Sequence, residues 1–504
     1  MATKLREIIL SDENIYNAIY ALESYISERD LLSKQDLSKF LQLRDKYNFS
    51  GYVGEVIRDC KETLKNILDD EKSLFEIEVY FKVKKLSNDV SPRVEYRPLH
   101  TSSLVNQICM AAMLMPLMFD DTTGIRNLSE LSRMLPHNFY GNIPSCNVQN
   151  IFVNWTEKYR QYTQIVNDRG HEYSQTREYD KEISFDLKDF FPSINPKKIL
   201  NFIWNAISGK YDTEEDRKTL QMIITKLLYF KIPEQNLKGW NDAYYKGKGD
   251  ISPIEGFYPT RGIAQGLPQS YFFGNLCMIE VADKMNRLQE LGKTDSYFYV
   301  DDSVVFARNI DSKQFEKLID QLNEVITDDV SEWTIEPILD EAYAENAFSL
   351  KYKVEFHRDD KSSICNIEDS FKGMSGLFLM QRSVSMGGWI KGNIDEVDDN
   401  VALKKLTALQ EVVDNQIKLI KDYIGENKES EEFETRLKWL KRYRRYFLFR
   451  KKRLQILLNG EFDKKLLDDF IKKFKIEEIV GLNHKEKIHT IVLTVMGGSI
   501  KTLS

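Results

Sequence analysis

The chain lacks any apolar run of about 18 residues, the length a membrane-crossing helix requires, so no spanning helix is expected and no membrane partner. Its start, Met1 to Leu10, lacks the basic opening and apolar centre of a signal peptide, and a cytoplasmic protein is expected. Cysteine is sparse. Cys60, Cys109, Cys146, Cys277 and Cys365 are scattered with no C-x-x-C pair, which argues against a disulfide framework or a zinc knuckle and leaves reduced thiols. An excess of positive charge is missing as well: the net charge is -7, so the chain as a whole gives no argument for phosphate binding. What remains is an ordinary globular composition, with 42% hydrophobic residues over 504 positions, enough for two to four domains around a large core.

Within that composition one stretch stands out, Ser296 to Ala307. Aromatic and β-branched residues run into Asp301-Asp302 and out into a second apolar run, the pattern of two short strands with acids at the turn. The chain has six other Asp-Asp pairs, at 69-70, 120-121, 328-329, 359-360, 398-399 and 468-469, all in polar or helical surroundings and read as solvated surface. Only 301-302 is flanked on both sides by strand-forming residues, a rigid mount for ligands of a hard cation.

The rest of the chain divides by periodicity. Residues 1 to about 74 read as helices, with Ile15, Ile19, Leu22 and Ile26 on one face. From Phe75 to Leu99 the period becomes two, a β-hairpin whose strands end in Lys82, Lys84 and Lys85 and in Arg97. Those cations suit a triphosphate and equally suit an edge strand guarded against aggregation. A buried helix is expected from Leu104 to Phe119 and a loop at Gly141 to Ser145. A short strand leads into Asp186, followed by a turn closed by Phe190, Phe191 and Pro192. Helix is expected over 197 to 230 and a loop-rich stretch over 233 to 259. Arg261 to Ser270 is a loop marked by Gly262, Gly266 and Pro268, with Ser270 as the expected cap of an apolar helix from Tyr271 to Met285. After the acid hairpin come a helix over 312 to 326, an insertion over 328 to 346, a strand-like segment Phe348 to Phe356, and helix from about 397 to 475.

Charge is concentrated in one place. Arg436, Lys438, Lys441, Arg442, Arg444, Arg445, Arg450, Lys451, Lys452 and Arg453 fall in an acid-free stretch interleaved with Trp439, Tyr443, Tyr446, Phe447 and Phe449. Such a stretch suits phosphate contacts with base stacking, and equally a solvated helix face whose aromatics pack inward.

Three segments in order, Phe185 to Ile194, Gln265 to Ser270 and Tyr299 to Asp302, together resemble the consecutive active-site motifs of reverse transcriptases; Arg97-Pro98-Leu99 with Val105 and Gln107 resembles the fingers motif that precedes them. The resemblance spans about residues 76 to 370. It implies an α+β (α/β) right-hand polymerase: a helical extension over 1-74, fingers over 75-183, a palm over 184-395 with inserted fingers helices at about 197-258, and an α-helical, repeat-like thumb or carboxy-terminal domain over 396-504. No maturase, RNase H, integrase or zinc endonuclease segment is evident, a layout most similar to bacterial abortive-infection and defence-associated reverse transcriptases of the unknown groups. Members of that set act in phage resistance, several as homo-oligomers, some with a structured non-coding RNA and some priming untemplated synthesis on a protein tyrosine.

By the same resemblance Asp186, Asp301 and Asp302 are the catalytic acids, and with the Leu187 carbonyl they would hold two Mg2+ ions, for which Mn2+ can substitute. Phe191 matches the steric gate that excludes a 2'-hydroxyl, with Phe190 beside it. Lys84 or Lys85, Arg97, Asp189, Gln265, Gly266 and Lys361, with Lys353 as competitor for the last role, would line the nucleotide site. The implied function is DNA synthesis from dNTPs, templated by a non-coding RNA or untemplated, with RNA or DNA as partners, in the cytoplasm of a bacterium under phage attack. Two alternatives stand beside it: an idle palm serving as an RNA-binding or assembly scaffold, and an RNA polymerase with a similar palm.

Overall fold

The computed structural model describes residues 4–29, 49–86, 94–120, 126–148, 150–246, 251–290, 294–325, 333–357 and 362–367, with seven further positions between 407 and 441. Two compact units emerge: Met1–Phe81, Pro98–Tyr159 and Lys181–Ile364 form the first, and Lys82–Arg97, Arg160–Asp180 and Cys365–Ser504 the second. The class is mixed, predominantly helical with small antiparallel sheets. Among the described residues no helix is long and apolar enough to cross a membrane, and none of the cysteines forms a disulfide.

The amino-terminal residues form α1 (Leu5–Ile9), α2 (Asp12–Arg29) and α3 (Phe49–Asp69), as their helical periodicity predicts. β1 (Glu78–Leu86) and β2 (Val94–Thr101) pair as the expected hairpin. Next comes α4 (Leu104–Met118), capped by the Ser103 side chain, which accepts from the Asn106 N–H. α4 is apolar all round, so it is stable only when covered all round. Helices α1, α2 and α3 cover it, and twelve of its residues are buried. At roughly 1.5–3 kcal/mol for each large apolar side chain removed from water, α4 is a principal source of the first unit's stability.

The chain continues through α5 (Glu130–Arg133), α6 (Trp155–Thr176), β3 (Lys181–Phe185) and the single turn α7 (Phe190–Ser193). The predicted helix over 197 to 230 is two helices, α8 (Pro196–Ile207) and α9 (Glu214–Leu228), each with a side-chain cap, from Asn195 and Thr213. The loop-rich stretch contains β4 (Lys231–Pro233), α10 (Glu234–Leu237), α11 (Asn241–Tyr245) and β5 (Phe257–Pro259), with β4 and β5 antiparallel.

Then α12 (Pro268–Glu290) begins two residues before the expected cap at Ser270. Proline is suited to a first helical position, having no N–H to leave unsatisfied and a φ already near the helical value, and this overrides the Ser signal. β6 (Thr294–Tyr299) and β7 (Asp302–Ala307) make the acid hairpin, followed by α13 (Ser312–Val325). The segment read as strand from Phe348 differs: Phe348 lies in α14 (Glu341–Ser349), and pairing occurs only around Phe356. Asp340 caps α14 by accepting from the Ala342 N–H, a local signal stronger than the strand propensity of the residues that follow. The preceding part of the insertion lies along α8 and α9: the Asn201 side-chain carbonyl accepts from the Thr334 and Ile335 N–H groups, and Gln221 donates to the Glu336 carbonyl. β8 (Ser363–Asn366) completes a sheet of order β6-β7-β3-β8.

In the second unit Tyr173 packs edge-on against Tyr179 with centroids 4.6 Å apart, and the Ile367 N–H donates to the Asp180 carbonyl. Arg436, Arg442, Arg444, Arg445, Arg450 and Lys451 lie outside the described residues, as does Lys361; Lys441 is helical and exposed.

Candidate functional site

The acids sit where three strands end together. β3 and β7 are antiparallel with Phe185 opposite Ser303, and β6 and β7 are antiparallel with Tyr299 opposite Asp302. The β3–β7 ladder ends there: Asp186 follows the last paired residue of β3, and Asp302 precedes Ser303 on β7. Two acids more than a hundred positions apart in sequence are thereby brought to the same end of adjacent strands. Strand alternation then sorts the faces. Phe185, Ser303 and Phe298 share the face on which Phe185 stacks with Phe315 of α13 at 5.9 Å, whereas Asp302 and Tyr299 share the other. All three acids, Asp186, Asp301 and Asp302, are half-buried.

Asp301 occupies the hairpin tip with Val300, and this turn is tight. Val300 has φ +58°, a left-handed conformation that a β-branched residue rarely adopts. It is held by the 138–141 segment: the Phe298 N–H donates to the Asn138 carbonyl at 3.0 Å, and the Tyr140 N–H to the Phe298 carbonyl at 2.9 Å. Gly141 then lies so close that a Cβ there would stand 2.5 Å from the Val300 side chain and 2.8 Å from its backbone nitrogen.

Residues 186–188 pair on their other side with 355–357. The His357 N–H donates to the Asp186 carbonyl and the Lys188 N–H to the Glu355 carbonyl, both at 2.8 Å. In this pattern the intervening residue directs its own polar groups away from the partner segment, so the Leu187 carbonyl turns toward the β7 side. The His357 imidazole lies 3.9 Å from the Asp186 carboxylate. Among the described residues no group of three or more His, Cys, Asp and Glu gathers closely enough to hold a metal ion. The structure brings Asp186 and the 301–302 hairpin to the same end of the sheet without closing three carboxylates into one cluster. The donor set itself, carboxylates and a backbone carbonyl, is all oxygen and fits a hard divalent cation. Like charges gathered at one end of a sheet repel, and a bound cation would offset that repulsion.

The 189–192 turn and the Arg261–Gly266 loop adjoin one another. Asp189 has φ +43° and accepts from Lys246 Nζ at 2.7 Å. Phe191 is 4% exposed, its ring edge-on to Phe190 and to Tyr271 with centroids 5.2 and 5.4 Å away. The Ile263 N–H donates to the Phe191 carbonyl at 3.0 Å, and Gly262, at φ +62°, leaves no room for a side chain against Phe191 and Pro192. Gln265 is pinned through its carbonyl, which accepts from the His100 backbone N–H at 2.8 Å and meets His100 Nδ1 at 2.9 Å, with Gly266 buried against the same residue. His100 Nε2 in turn lies 2.8 Å from the Tyr244 hydroxyl. Complete burial lowers the His100 pKa to about 4, so the imidazole is neutral at neutral pH, donating to Gln265 and accepting from Tyr244.

Of the other expected residues, Lys84 lies on β1, and Arg97 is exposed on β2 within the second unit. Lys353, the competitor of Lys361, pairs with Glu355, whose carboxyl this hydrogen bond holds below its ordinary pKa. Residues that sequence reading missed include His100, Gly141, Tyr244, Lys246, Arg261 and His357. None belongs to a periodic pattern or a motif; each matters through a contact distant in sequence. No protein-family model matches the chain, and no curated protein does.

Proposed function

We propose that this chain is a metal-dependent nucleotidyltransferase of reverse-transcriptase type, synthesising DNA from dNTPs in bacterial antiphage defence. The observation that carries the reading is the antiparallel pairing of β3 on β7, by which Asp186 follows β3 at the end of the sheet where the 301–302 hairpin turns. Asp186, Asp301, Asp302 and the Leu187 carbonyl are the oxygen donors that would hold Mg2+ or Mn2+. When bound, such ions lower the pKa of an attacking hydroxyl and offset charge developing on a transferred phosphoryl group.

The chain's own residues supply the rest. The Val300 turn, clamped by Gly141, fixes where Asp301 stands. His100 fixes the Gln265 backbone, and Phe191 offers the edge of a packed ring where a 2'-hydroxyl would collide. The basic, aromatic-interleaved sequence from Arg436 to Arg453 suits a nucleic-acid partner, and a homo-oligomer fits the same reading. The defence role rests on the resemblance of layout.

The test is incubation of the purified protein with each dNTP separately, in Mg2+ and in Mn2+, with sequencing of any co-purified or newly made nucleic acid. A homopolymer, a random tail and a complementary copy separate untemplated from templated synthesis. Incorporation of rNTPs in preference to dNTPs favours an RNA polymerase, and no incorporation by a protein that retains bound RNA favours a scaffold.

A further inference from the structure

Beside the acid site stands a pair of cations that the metal chemistry leaves unused. Arg261 is 6% exposed, yet among the described residues its guanidinium donates only to the Tyr244 carbonyl, at 3.0 Å, and its Nε has no hydrogen-bond partner. A buried guanidinium served by one neutral acceptor is unfavourable, because its lost hydration is replaced by neither a carboxylate nor a full set of acceptors. Burial lowers its pKa, and the charge that most opposes this is Asp189. The position of Arg261 is fixed: the next two residues clamp the Phe191–Pro192 backbone, which places it against the turn that follows Asp186. Lys246 reaches the same turn from the end of α11 and meets Asp189 Oδ2 at 2.7 Å, with both side chains about 40% exposed. Lys246 therefore holds a carboxylate three residues from Asp186, and Arg261, from a separate segment against the same turn, has donors to spare.

We propose that Lys246 and Arg261 form a polyphosphate subsite whose resting occupant is the Asp189 carboxylate, displaced when the triphosphate tail of a nucleotide arrives. The inference rests on the nucleotidyltransferase reading and deepens it. A monovalent carboxylate satisfies Lys246 and leaves Arg261 underserved, whereas a chain of phosphates carries enough acceptors for both. Asp189 thereby acts as a gatekeeper: it keeps the cations from binding singly charged anions and sets a threshold that only a multiply charged ligand overcomes.

The probe is inorganic tripolyphosphate, titrated calorimetrically into the full chain. Wild type binds it; K246A weakens binding about tenfold, the loss of one charge-assisted contact. D189N, which keeps the shape and removes the competing charge, tightens it several-fold. R261Q weakens it further, its folded state being checked by circular dichroism; since Arg261 is buried, the decision rests on the opposite shifts of the half-exposed K246A and D189N. Absence of tripolyphosphate binding in wild type, or equal affinity across wild type, K246A and D189N, overturns the subsite. The steady-state KM for dNTP separates this from the parent reading. Incorporation with KM unchanged in K246A and D189N removes the subsite and leaves the polymerase; no incorporation with the opposite tripolyphosphate shifts intact leaves the subsite and removes the polymerase.

Discussion

Gly141 and Val300 hold each other in place: the glycine's bare Cα lies against the Val300 side chain and amide, and Val300 keeps a left-handed backbone beneath it. A non-glycine residue so confined stores of order 1–3 kcal/mol, which the surrounding contacts must sustain. The strained turn is the one that presents Asp301.

Gly141→Ala therefore forces the hairpin tip to move. The expected cost is about 1–3 kcal/mol of stability, as for overpacking elsewhere, with a larger fractional loss of nucleotide incorporation. Thermal unfolding and incorporation rate check this. An alanine variant with unchanged melting and unchanged rate contradicts the clamp.

Asp186→Asn removes one of the negative charges gathered at this end of the sheet. Without divalent ions the variant is expected to be as stable as wild type or more so, by about 0.2–1 kcal/mol, while metal-dependent incorporation is lost. Urea unfolding in EDTA and in Mg2+ reads both effects: Mg2+ raises the midpoint of wild type and leaves that of the variant unmoved.

Phe191→Ala opens the space beside Tyr271. Discrimination between dGTP and GTP, measured as the ratio of kcat/KM, is expected to fall at least about tenfold. Because the ring is buried, about 3 kcal/mol of stability goes with it. An unchanged ratio in a folded variant reduces Phe191 to a core residue.

His100 gives the fold an acid-sensitive component. Its pKa is about 4 in the folded chain against 6.5 as the ordinary value, so between those pH values the unfolded chain binds the extra proton. Stability from this group is complete above pH 6.5 and is lost as pH falls toward 4, a total of about 3 kcal/mol. Denaturant midpoints at pH 7.5 and 5, compared with those of His100→Gln, isolate the component. A variant whose midpoint falls between these pH values as much as wild type's contradicts it.

The sequence exposed what is periodic or local. The acid hairpin, the strand before Asp186 and the buried helix from Leu104 all follow from alternation or unbroken apolarity, and all are present. It misread Ser270, because a proline two residues earlier is the stronger helix start, and Phe348, because the Asp340 cap carries helix through it. It was silent where function depends on long-range contact. The pairing that brings Asp186 to the end of the sheet bearing the 301–302 hairpin joins strands more than a hundred residues apart. Arg261 reads as one more loop arginine until its burial is known. His100 looks like any histidine until Gln265 and Tyr244 are found on its two nitrogens.

The central claim, that Asp186 and the 301–302 hairpin serve one cation site, is tested most directly by titrating Mn2+ into the full chain and following free ion by electron paramagnetic resonance. Wild type should bind Mn2+, and D186N and D301N should each lose the same tightly bound ions, although they alter strands far apart in sequence. Unchanged Mn2+ stoichiometry and affinity in D186N would contradict the account.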